Sequence, residues 1–437
     1  MFFKRKRALE TSRKLIKYEE FKRRHCRNDK DFTRTRSLPF SLVLIIGLRN
    51  SVKSLQLMVN EVMNWLDNDP VTASAYSQAR YKLKHTAFIE LNQKAVVDTM
   101  YEDDSYKKFL GFRVLAVDGS KIRLPDNDDI REEFGTIAYT NGKDSIAEGE
   151  HPYALASVLY DVLNRVTLTA ELVRSDAYEV DLAVKHLAHT RAKDLITMDR
   201  NYPSYRMIAE LQRHDRDFVI RCSAASFKAA RKMLNGEGPD SQIVTLTPCD
   251  KQAPLMRQLG LPPSITVRFV RVKLDTGEWE VLVTSLVDEE KYSTKEFKEL
   301  YYLRWGVETF YGLIKTRLEL ENFTGIGPEA VRQDFFSTLY LSGMETILTE
   351  SAQNELDQKE TQHPQIVNRA VSFNAIKDQA LDLLFLSEIE SDVLLNRLTA
   401  LFLTNPCLER KGRSPPRKKA SSRALLDFHK RRKKHCY

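Results

Sequence analysis

Residues 112–120 read FRVLAVDGS, an apolar run that ends in an aspartate and a glycine. Such a run, closed by turn residues, predicts a buried strand. Two more strand-like runs follow at 154–163 and 165–174, joined tightly at Asn164-Arg165. The three segments together predict the start of a sheet.

Helical and strand-like runs alternate after this point. Residues 177–190 have a helical apolar pattern, and the short apolar run 194–198 ends in Asp199. A helix at 204–216 and a strand at 217–222 continue the alternation. Strands that alternate with helices predict an α/β fold, in which a mixed sheet is flanked by helices.

The flanking regions have other patterns. Within 38–100, apolar residues recur at helical spacing in one run that ends at Pro70 and in a second run after it. Residues 224–292 instead hold strand-like runs separated by Gly, Pro and Asp. The predicted order is a basic segment at 1–37, a helical region at 38–109, an α/β domain at 110–330 with a β-rich insertion at about 224–292, a helical region at 331–408 and a basic, disordered tail at 409–437.

The charge is distributed unevenly. The chain has 437 residues and a net charge of +8. Residues 1–36 carry 14 Lys and Arg against 5 Asp and Glu, and residues 409–437 carry 12 against 2. The two ends therefore hold +9 and +10, which leaves −11 for residues 37–408. Two basic tails predict a polyanion as the partner, nucleic acid first, although a solubilising tail would have the same composition.

A second basic cluster lies on the predicted helix around 73–93. Arg80 is one of four basic side chains there, beside an apolar set. The helix is a candidate DNA-contacting element with Arg80 as a contact, and a solvated basic face is the alternative.

The cysteines and the apolar runs indicate in which cellular compartment the protein is expected. The five cysteines are scattered without a Cys-x-x-Cys pair, which predicts a reduced, intracellular protein. The longest apolar run, 38–48, is shorter than the roughly 20 residues that cross a bilayer, and no secretory leader is evident. The sequence therefore predicts a cytoplasmic protein without a membrane span.

Asp118 and Asp199 each follow an apolar strand-like run. A carboxylate at such a place is costly unless it is paired or binds a metal ion. Either aspartate alone could equally cap the turn that follows it.

Four polar residues share one stripe of the predicted helix within 300–325. Tyr301, Arg304, Glu308 and Lys315 stack on one helical face at 3.6 residues per turn. An ion-paired solvated face would explain the stripe as well as a functional one does. Together with the two aspartates, however, Glu308 would complete a set of oxygen donors suited to Mg²⁺.

The spacing Tyr301-x2-Arg304-x3-Glu308-x6-Lys315 resembles the Tyr-Arg-Glu-Lys signature of bacterial insertion-sequence transposases of the DDE class, in particular insertion-sequence family four. The words Asp118-Gly119-Ser120 and Asp199-Arg200-Asn201-Tyr202 resemble the motifs that carry the first two acids of that family. The family places glycine where this chain has Asn201, a residue that tolerates the same turn. The resemblance covers roughly 40–325.

The resemblance implies an RNase H-like catalytic domain at 110–330 and a DNA-binding role for 38–109. Asp118, Asp199 and Glu308 would be the catalytic, metal-binding residues. The implied cofactor is Mg²⁺, which Mn²⁺ can replace, with two ions bound. Tyr301, Arg304 and Lys315 would hold DNA phosphates, and Trp279 would stack on a flipped base unless it belongs to the core.

The implied reaction is cut-and-paste DNA transposition, with metal-dependent cleavage at transposon ends and 3′-OH strand transfer into target DNA. The partners would be the inverted repeats, the target DNA and a second protomer in the synaptic complex, near the bacterial nucleoid. Two alternatives remain open: a catalytically silent transposase that only binds DNA, and a metal-dependent nuclease that does not join DNA.

Overall fold

The computed structural model describes residues 2–34, 37–49, 53–140, 147–274, 277–385 and 391–409. Most of the tail at 409–437 thus lies outside the described residues. The strands within these ranges are β1 (Arg113–Arg123), β2 (Thr136–Thr140), β3 (Ala147–Asp161), β4 (Val166–Arg174), β5 (Asp194–Met198), β6 (Asp217–Cys222), β7 (Ser241–Leu246), β8 (Ile265–Lys273), β9 (Trp279–Thr284), β10 (Gln365–Ile366) and β11 (Cys407–Leu408).

The α-helices of the described residues fall into three groups along the chain. Before the sheet lie α1 (Phe2–Lys17), α2 (Glu19–His25), α3 (Phe40–Leu48), α4 (Leu55–Trp65), α5 (Ala73–Tyr81), α6 (Thr86–Leu91) and α7 (Asp98–Met100). Among the strands lie α8 (Asp128–Phe134), α9 (Glu179–His186), α10 (Tyr205–Arg213), α11 (Lys228–Leu234) and α12 (Ala253–Gln258). After the sheet lie α13 (Glu296–Leu303), α14 (Trp305–Thr316), α15 (Pro328–Asp357), α16 (Arg369–Asp378), α17 (Ala380–Leu384) and α18 (Ser391–Thr404).

A mixed sheet is the centre of the fold. Its order is β3-β1-β5-β6-β9-β8-β7, and both β2 and β4 pair with the outer edge of β3. β3 pairs antiparallel with both β1 and β4, whereas β5 pairs parallel with β1, and β6 pairs parallel with β5. Three antiparallel strands followed by two strands parallel to the first form the RNase H-like arrangement. The predicted α/β fold is therefore confirmed.

β1 is longer than the sequence predicts. Residues 115–123 pair with β3, so the strand passes through Asp118 and Gly119 and ends at Arg123. The parallel pairing with β5 covers only 113–116. Asp118 therefore lies where the parallel ladder ends, inside a strand and not in a turn. The expectation that a turn begins at Asp118 is wrong, because the pairing with β3 holds the backbone extended.

The segment predicted as a β-rich insertion continues the same sheet. β9 pairs antiparallel with β6, and β8 and β7 follow it. α11 and α12 cover one face of this extension, where Met233 and Met256 are buried in the same apolar cluster as β8 and β9. The extension is therefore continuous with the sheet that carries Asp118 and Asp199.

Side chains of β1 alternate between two cores. Ala116 packs with the terminal helices, whereas Leu115 and Val117 pack with α9 and α10. This alternation follows from the two-residue period of a strand. The sheet is thus buried on both faces, which explains why its strands read as continuous apolar runs.

The basic N-terminal segment is not a tail, contrary to the sequence prediction. α1 buries Ala8, Leu9 and Ile16, and its Ser12 hydroxyl accepts a hydrogen bond at 2.7 Å from Tyr340 in α15. Seven lysines and arginines in the same helix make this segment look like a basic tail by composition. Among the described residues, no helix is both long and apolar enough to span a bilayer.

Candidate active site

Asp118 and Asp199 lie on neighbouring parallel strands. Asp199 directly follows β5, and its Oδ1 accepts a hydrogen bond at 2.8 Å from the backbone NH of Asn201. Asp118 lies in β1, where the ladder to β5 has just ended. Both carboxylates are partly buried at the carboxyl end of the parallel strands, the edge where α/β sheets bind ligands.

Glu308 lies on α14, the helix that packs on β1. The predicted helical stripe is interrupted, because α13 ends at Leu303 and α14 begins at Trp305, with Arg304 as the link between them. The Nη2 atom of Arg304 donates to Glu308 Oε1 at 2.7 Å. Arg304 is only 2% exposed, whereas the side chain of Glu308 is 38% exposed. The buried guanidinium therefore directs Glu308 toward the sheet edge.

α14 is attached to β1 at Asp118 and at the residues that follow it. The hydroxyl of Tyr311 is 3.0 Å from the carbonyl oxygens of Asp118 and Ala156, between which it can share its proton. Lys315 Nζ donates to Ser120 Oγ at 2.8 Å and to the Lys121 carbonyl at 2.6 Å. These contacts fix the helix that carries Glu308 against the strand that carries Asp118.

The three carboxylates are electrostatically coupled. Burial raises the pKa of Asp118 to about 7; Arg304 opposes this rise, and the charges of Asp199 and Glu308 add to it. Burial acts to lower the pKa of Arg304, but its contacts with Tyr301 and Glu308 raise it above the usual value. The site thus concentrates negative charge around one arginine, and it would gain from an additional cation.

We expect Asp118 to make stability depend on pH in metal-free buffer. Its pKa is near 3.8 when unfolded and about 7 when folded, so the folded state binds the extra proton between these values. Stability should therefore fall as pH rises from about 4 to about 7. Relative to Asp118→Asn, the wild type should lose about 1–2 kcal/mol of unfolding free energy between about pH 5 and pH 8, after allowance for solvent screening. Urea titrations at several pH values measure this difference, and equal slopes for both proteins would contradict it.

The residue types fit a hard divalent cation, but the arrangement is not a finished coordination site. Two aspartates and a glutamate supply the carboxylate oxygens that Mg²⁺ prefers. Within the described residues, no three His, Cys, Asp or Glu side chains are close enough together to hold a metal ion. Glu308 is instead bound to Arg304.

Tyr301 and Arg304 form a buried pair beneath this edge. The guanidinium carbon of Arg304 lies 5.4 Å from the centre of the Tyr301 ring, and Tyr301 is 2% exposed. Burial raises the pKa of Tyr301. Within the described residues, neither the Tyr301 hydroxyl nor Arg304 Nε has a hydrogen-bond partner. Buried donors of this kind are costly, and they indicate a missing acceptor.

Arg80 is buried, contrary to the prediction that it contacts DNA from an exposed helix face. It is 5% exposed, and it donates to Gln333, Ala330 and Asp334 of α15 and to Thr324. Because these bonds occupy its guanidinium, Arg80 ties α5 to α15 and does not present a surface to DNA. The sequence pattern of α5 did not show that Arg80 lies on the buried face of the helix, because an arginine next to apolar residues is usually solvated.

Trp279 is the first residue of β9, which is three strands from β1 in the order of the sheet. It is 36% exposed, and the guanidinium of Arg271 stacks over its ring at 4.7 Å. Lys273 Nζ is 5.5 Å from the same ring. The ring is therefore partly open beside two basic side chains, which leaves the prediction of base stacking as a prediction.

Two polar groups near the site were not predicted. Glu179, the first residue of α9, packs against Gly119 and accepts a hydrogen bond from Tyr202. Glu280 of β9 pairs with Arg221 at 3.0 Å. The sequence has no signal for either, because both depend on contacts between distant segments.

A family model, one relative and one solved structure are similar to this chain. The family model "Transposase DDE domain" matches residues 110–341. The chain is 26% identical over 327 residues to the transposase InsG of insertion sequence element IS4 from Escherichia coli K12, and the match covers 70% of this chain and 69% of that protein. A cryo-EM structure of the piggyBac transposase synaptic complex with hairpin DNA aligns over 88% of this chain and 78% of that one, with 9% identity and a TM-score of 0.42. This last likeness is too distant to carry an argument.

Proposed function

This chain belongs to the insertion-sequence transposases with a DDE domain, and we propose that it cleaves DNA at transposon ends and joins the freed 3′-OH to target DNA. The observation that carries the proposal is the coupling of Asp118, Asp199 and Glu308. Three segments that are distant in sequence bring these carboxylates into one electrostatic unit at the sheet edge.

We propose that Asp118, Asp199 and Glu308 hold the divalent metal ions that transposases of this family generally use. The proposed ions are two Mg²⁺, which Mn²⁺ can replace. When bound, they would supply the charge that favours ionisation of an attacking water or 3′-OH and that stabilises the leaving oxygen. Asp118 would release its proton, the three carboxylates would orient toward the ions, and Arg304 would keep Glu308 directed at the site.

We further propose that Tyr301, Arg304 and Lys315 recognise DNA phosphate. The unpartnered donors of Tyr301 and Arg304 support this proposal, because a phosphate oxygen would satisfy both. Both side chains are buried, so the loops around them would have to open as DNA binds. Lys315 would have to exchange its bonds to β1 for the phosphate.

The proposed partners are double-stranded transposon ends, target DNA and a second copy of the chain. The helical region 38–109 is proposed to bind DNA, and the helical region 331–408 to support pairing of two protomers. Residues 224–292 would carry Trp279 to the DNA. The basic residues beyond 409 would add sequence-independent attraction to phosphates.

A cleavage and joining assay tests the function. The substrates are DNA fragments from both flanks of the coding sequence and a supercoiled target plasmid, with Mg²⁺ or EDTA. We expect Mg²⁺-dependent cuts that expose a 3′-OH and covalent joining to the plasmid, and a 3′-dideoxy end should block joining only. Cleavage of both substrates without joining would make the protein a nuclease. Binding without cleavage would make it a silent, DNA-binding transposase.

A further inference from the structure

Glu179 touches the backbone next to Asp118. A Cβ atom built on Gly119 would lie 2.7 Å from Glu179 Oε2 and 2.9 Å from its Cδ. These distances are shorter than any ordinary contact, so the carboxylate occupies the space that a side chain at position 119 would need. Glycine at this position thus allows α9 to place an acid directly against β1.

The same carboxylate is bonded to the segment that carries Asp199. The hydroxyl of Tyr202 donates to Glu179 Oε2 at 3.0 Å, and Tyr202 is fully buried. The backbone NH of Tyr202 donates to the Asp199 carbonyl at 3.3 Å and closes the turn after β5. A single oxygen of Glu179 therefore contacts both the strand of Asp118 and the turn of Asp199.

The helix of Glu308 is close to the same group. The hydroxyl of Tyr311 in α14 donates to the carbonyl oxygen of Asp118, the residue before Gly119. Burial lowers the pKa of Lys121, and Glu179 partly offsets that effect. Glu179 thus contacts two of the three segments that carry the proposed metal-binding acids, and α14 is attached to β1 beside one of these contacts.

We infer that Glu179 is a positioning residue of this transposase, which holds the Tyr202 turn against β1 and thereby sets how Asp118 and Asp199 face each other. The inference rests on the proposed function of those two aspartates. Glu179 acts through Tyr202 and Gly119, and it need not touch the metal ions or the DNA.

Three substitutions separate this role from simple packing. Glu179→Ala removes the acceptor, Tyr202→Phe removes only the donor, and Glu179→Gln keeps a carbonyl acceptor. Gly119→Ala forces the flexible end of Glu179 to move away, which is sterically cheap but breaks its bond to Tyr202. Asp181→Asn is the matched control, because Asp181 lies on the same helix, is exposed and pairs with Arg206.

The experiment measures Mn²⁺ binding to the DNA-free protein by electron paramagnetic resonance, together with the metal concentration that gives half-maximal cleavage. We expect Glu179→Ala, Tyr202→Phe and Gly119→Ala each to weaken Mn²⁺ binding about tenfold, as the loss of one charge-assisted hydrogen bond would. Glu179→Gln and Asp181→Asn should stay within about threefold of the wild type. The double variant Glu179→Ala/Tyr202→Phe should be no weaker than Glu179→Ala alone.

Two results would overturn the inference. One is wild-type Mn²⁺ binding in both Glu179→Ala and Tyr202→Phe, and the other is a Glu179→Gln variant as weak as Glu179→Ala. Should Glu179→Ala fail to fold, Tyr202→Phe carries the same comparison. Asp118→Asn distinguishes failure of the proposed function from failure of the role given to Glu179. If Asp118→Asn binds Mn²⁺ normally, the proposed function is wrong. If Asp118→Asn loses Mn²⁺ binding and the Glu179, Tyr202 and Gly119 variants keep it, only the role of Glu179 is wrong.

Discussion

Replacing Asp118 by asparagine is expected to slow cleavage of the DNA ends by about a thousandfold or more. Asparagine keeps the size of the side chain but removes the charge that would hold a cation. Losing about 4 kcal/mol of transition-state stabilisation corresponds to this factor, and a charged metal ligand contributes several kcal/mol. The measurement is the single-turnover rate on a labelled flank fragment with Mg²⁺.

Asp217→Asn is the control for this prediction. Asp217 is the first residue of β6, at the end of the strand away from the proposed site. Its Oδ1 accepts a hydrogen bond from the Ser285 hydroxyl at 2.8 Å, and asparagine can accept the same bond. Its rate should stay within about threefold of the wild type. Glu308→Gln should resemble Asp118→Asn. Cleavage by both Asp118→Asn and Glu308→Gln at the wild-type rate would exclude the three-carboxylate mechanism.

Replacing Arg113 by alanine is expected to cost about 3–5 kcal/mol of unfolding free energy, because it leaves a buried carboxylate without its partner. Arg113 Nε and Nη2 donate to Asp194 Oδ1 and Oδ2 at 2.7 and 2.6 Å. The two side chains are 4% and 1% exposed, and they lie opposite each other in the ladder that joins β1 to β5. Urea denaturation of the metal-free protein measures the loss.

Lys94→Ala is the matched control for the ion pair. Lys94 pairs with Asp98 at 3.0 Å on the surface, where both side chains are about half exposed. Its removal should cost no more than about 0.5 kcal/mol. The double variant Arg113→Met/Asp194→Leu should recover much of the loss, since an apolar pair leaves no buried charge. A loss below about 1 kcal/mol in Arg113→Ala would contradict the structural role assigned to this pair.

The sheet was predictable because its signals are local. β5 is a short apolar run that ends at Asp199, and the turn after it needs only the residues from Asp199 to Tyr202. The end of β1 was not predictable, because the pairing of residues 115–123 with β3 overrides the turn preference of Asp118-Gly119. Local turn propensity is weak compared with a complete ladder on a neighbouring strand.

Burial of charged residues was the main information missing from the sequence. Arg80 has the composition of a surface contact, yet α15 supplies enough acceptors to bury it. The stripe from Tyr301 to Lys315 was predicted to share one face of a single helix, but it is divided between α13 and α14. Tyr311 and Lys315, both on α14, bond to the strand of Asp118. Its division into a partly exposed Glu308 and a buried Arg304 depends on the packing of α14 against the sheet.

Site-directed hydroxyl-radical cleavage of the polypeptide tests whether Asp118, Asp199 and Glu308 hold the metal. Fe²⁺ replaces Mg²⁺ in the protein bound to a flank fragment, and ascorbate and peroxide then cut the polypeptide close to the iron. We expect cuts near residues 118, 199 and 308, which excess Mg²⁺ should suppress and Asp118→Asn should abolish. Cuts confined to other segments, or cuts that persist unchanged in Asp118→Asn, would show that these three carboxylates do not hold the metal.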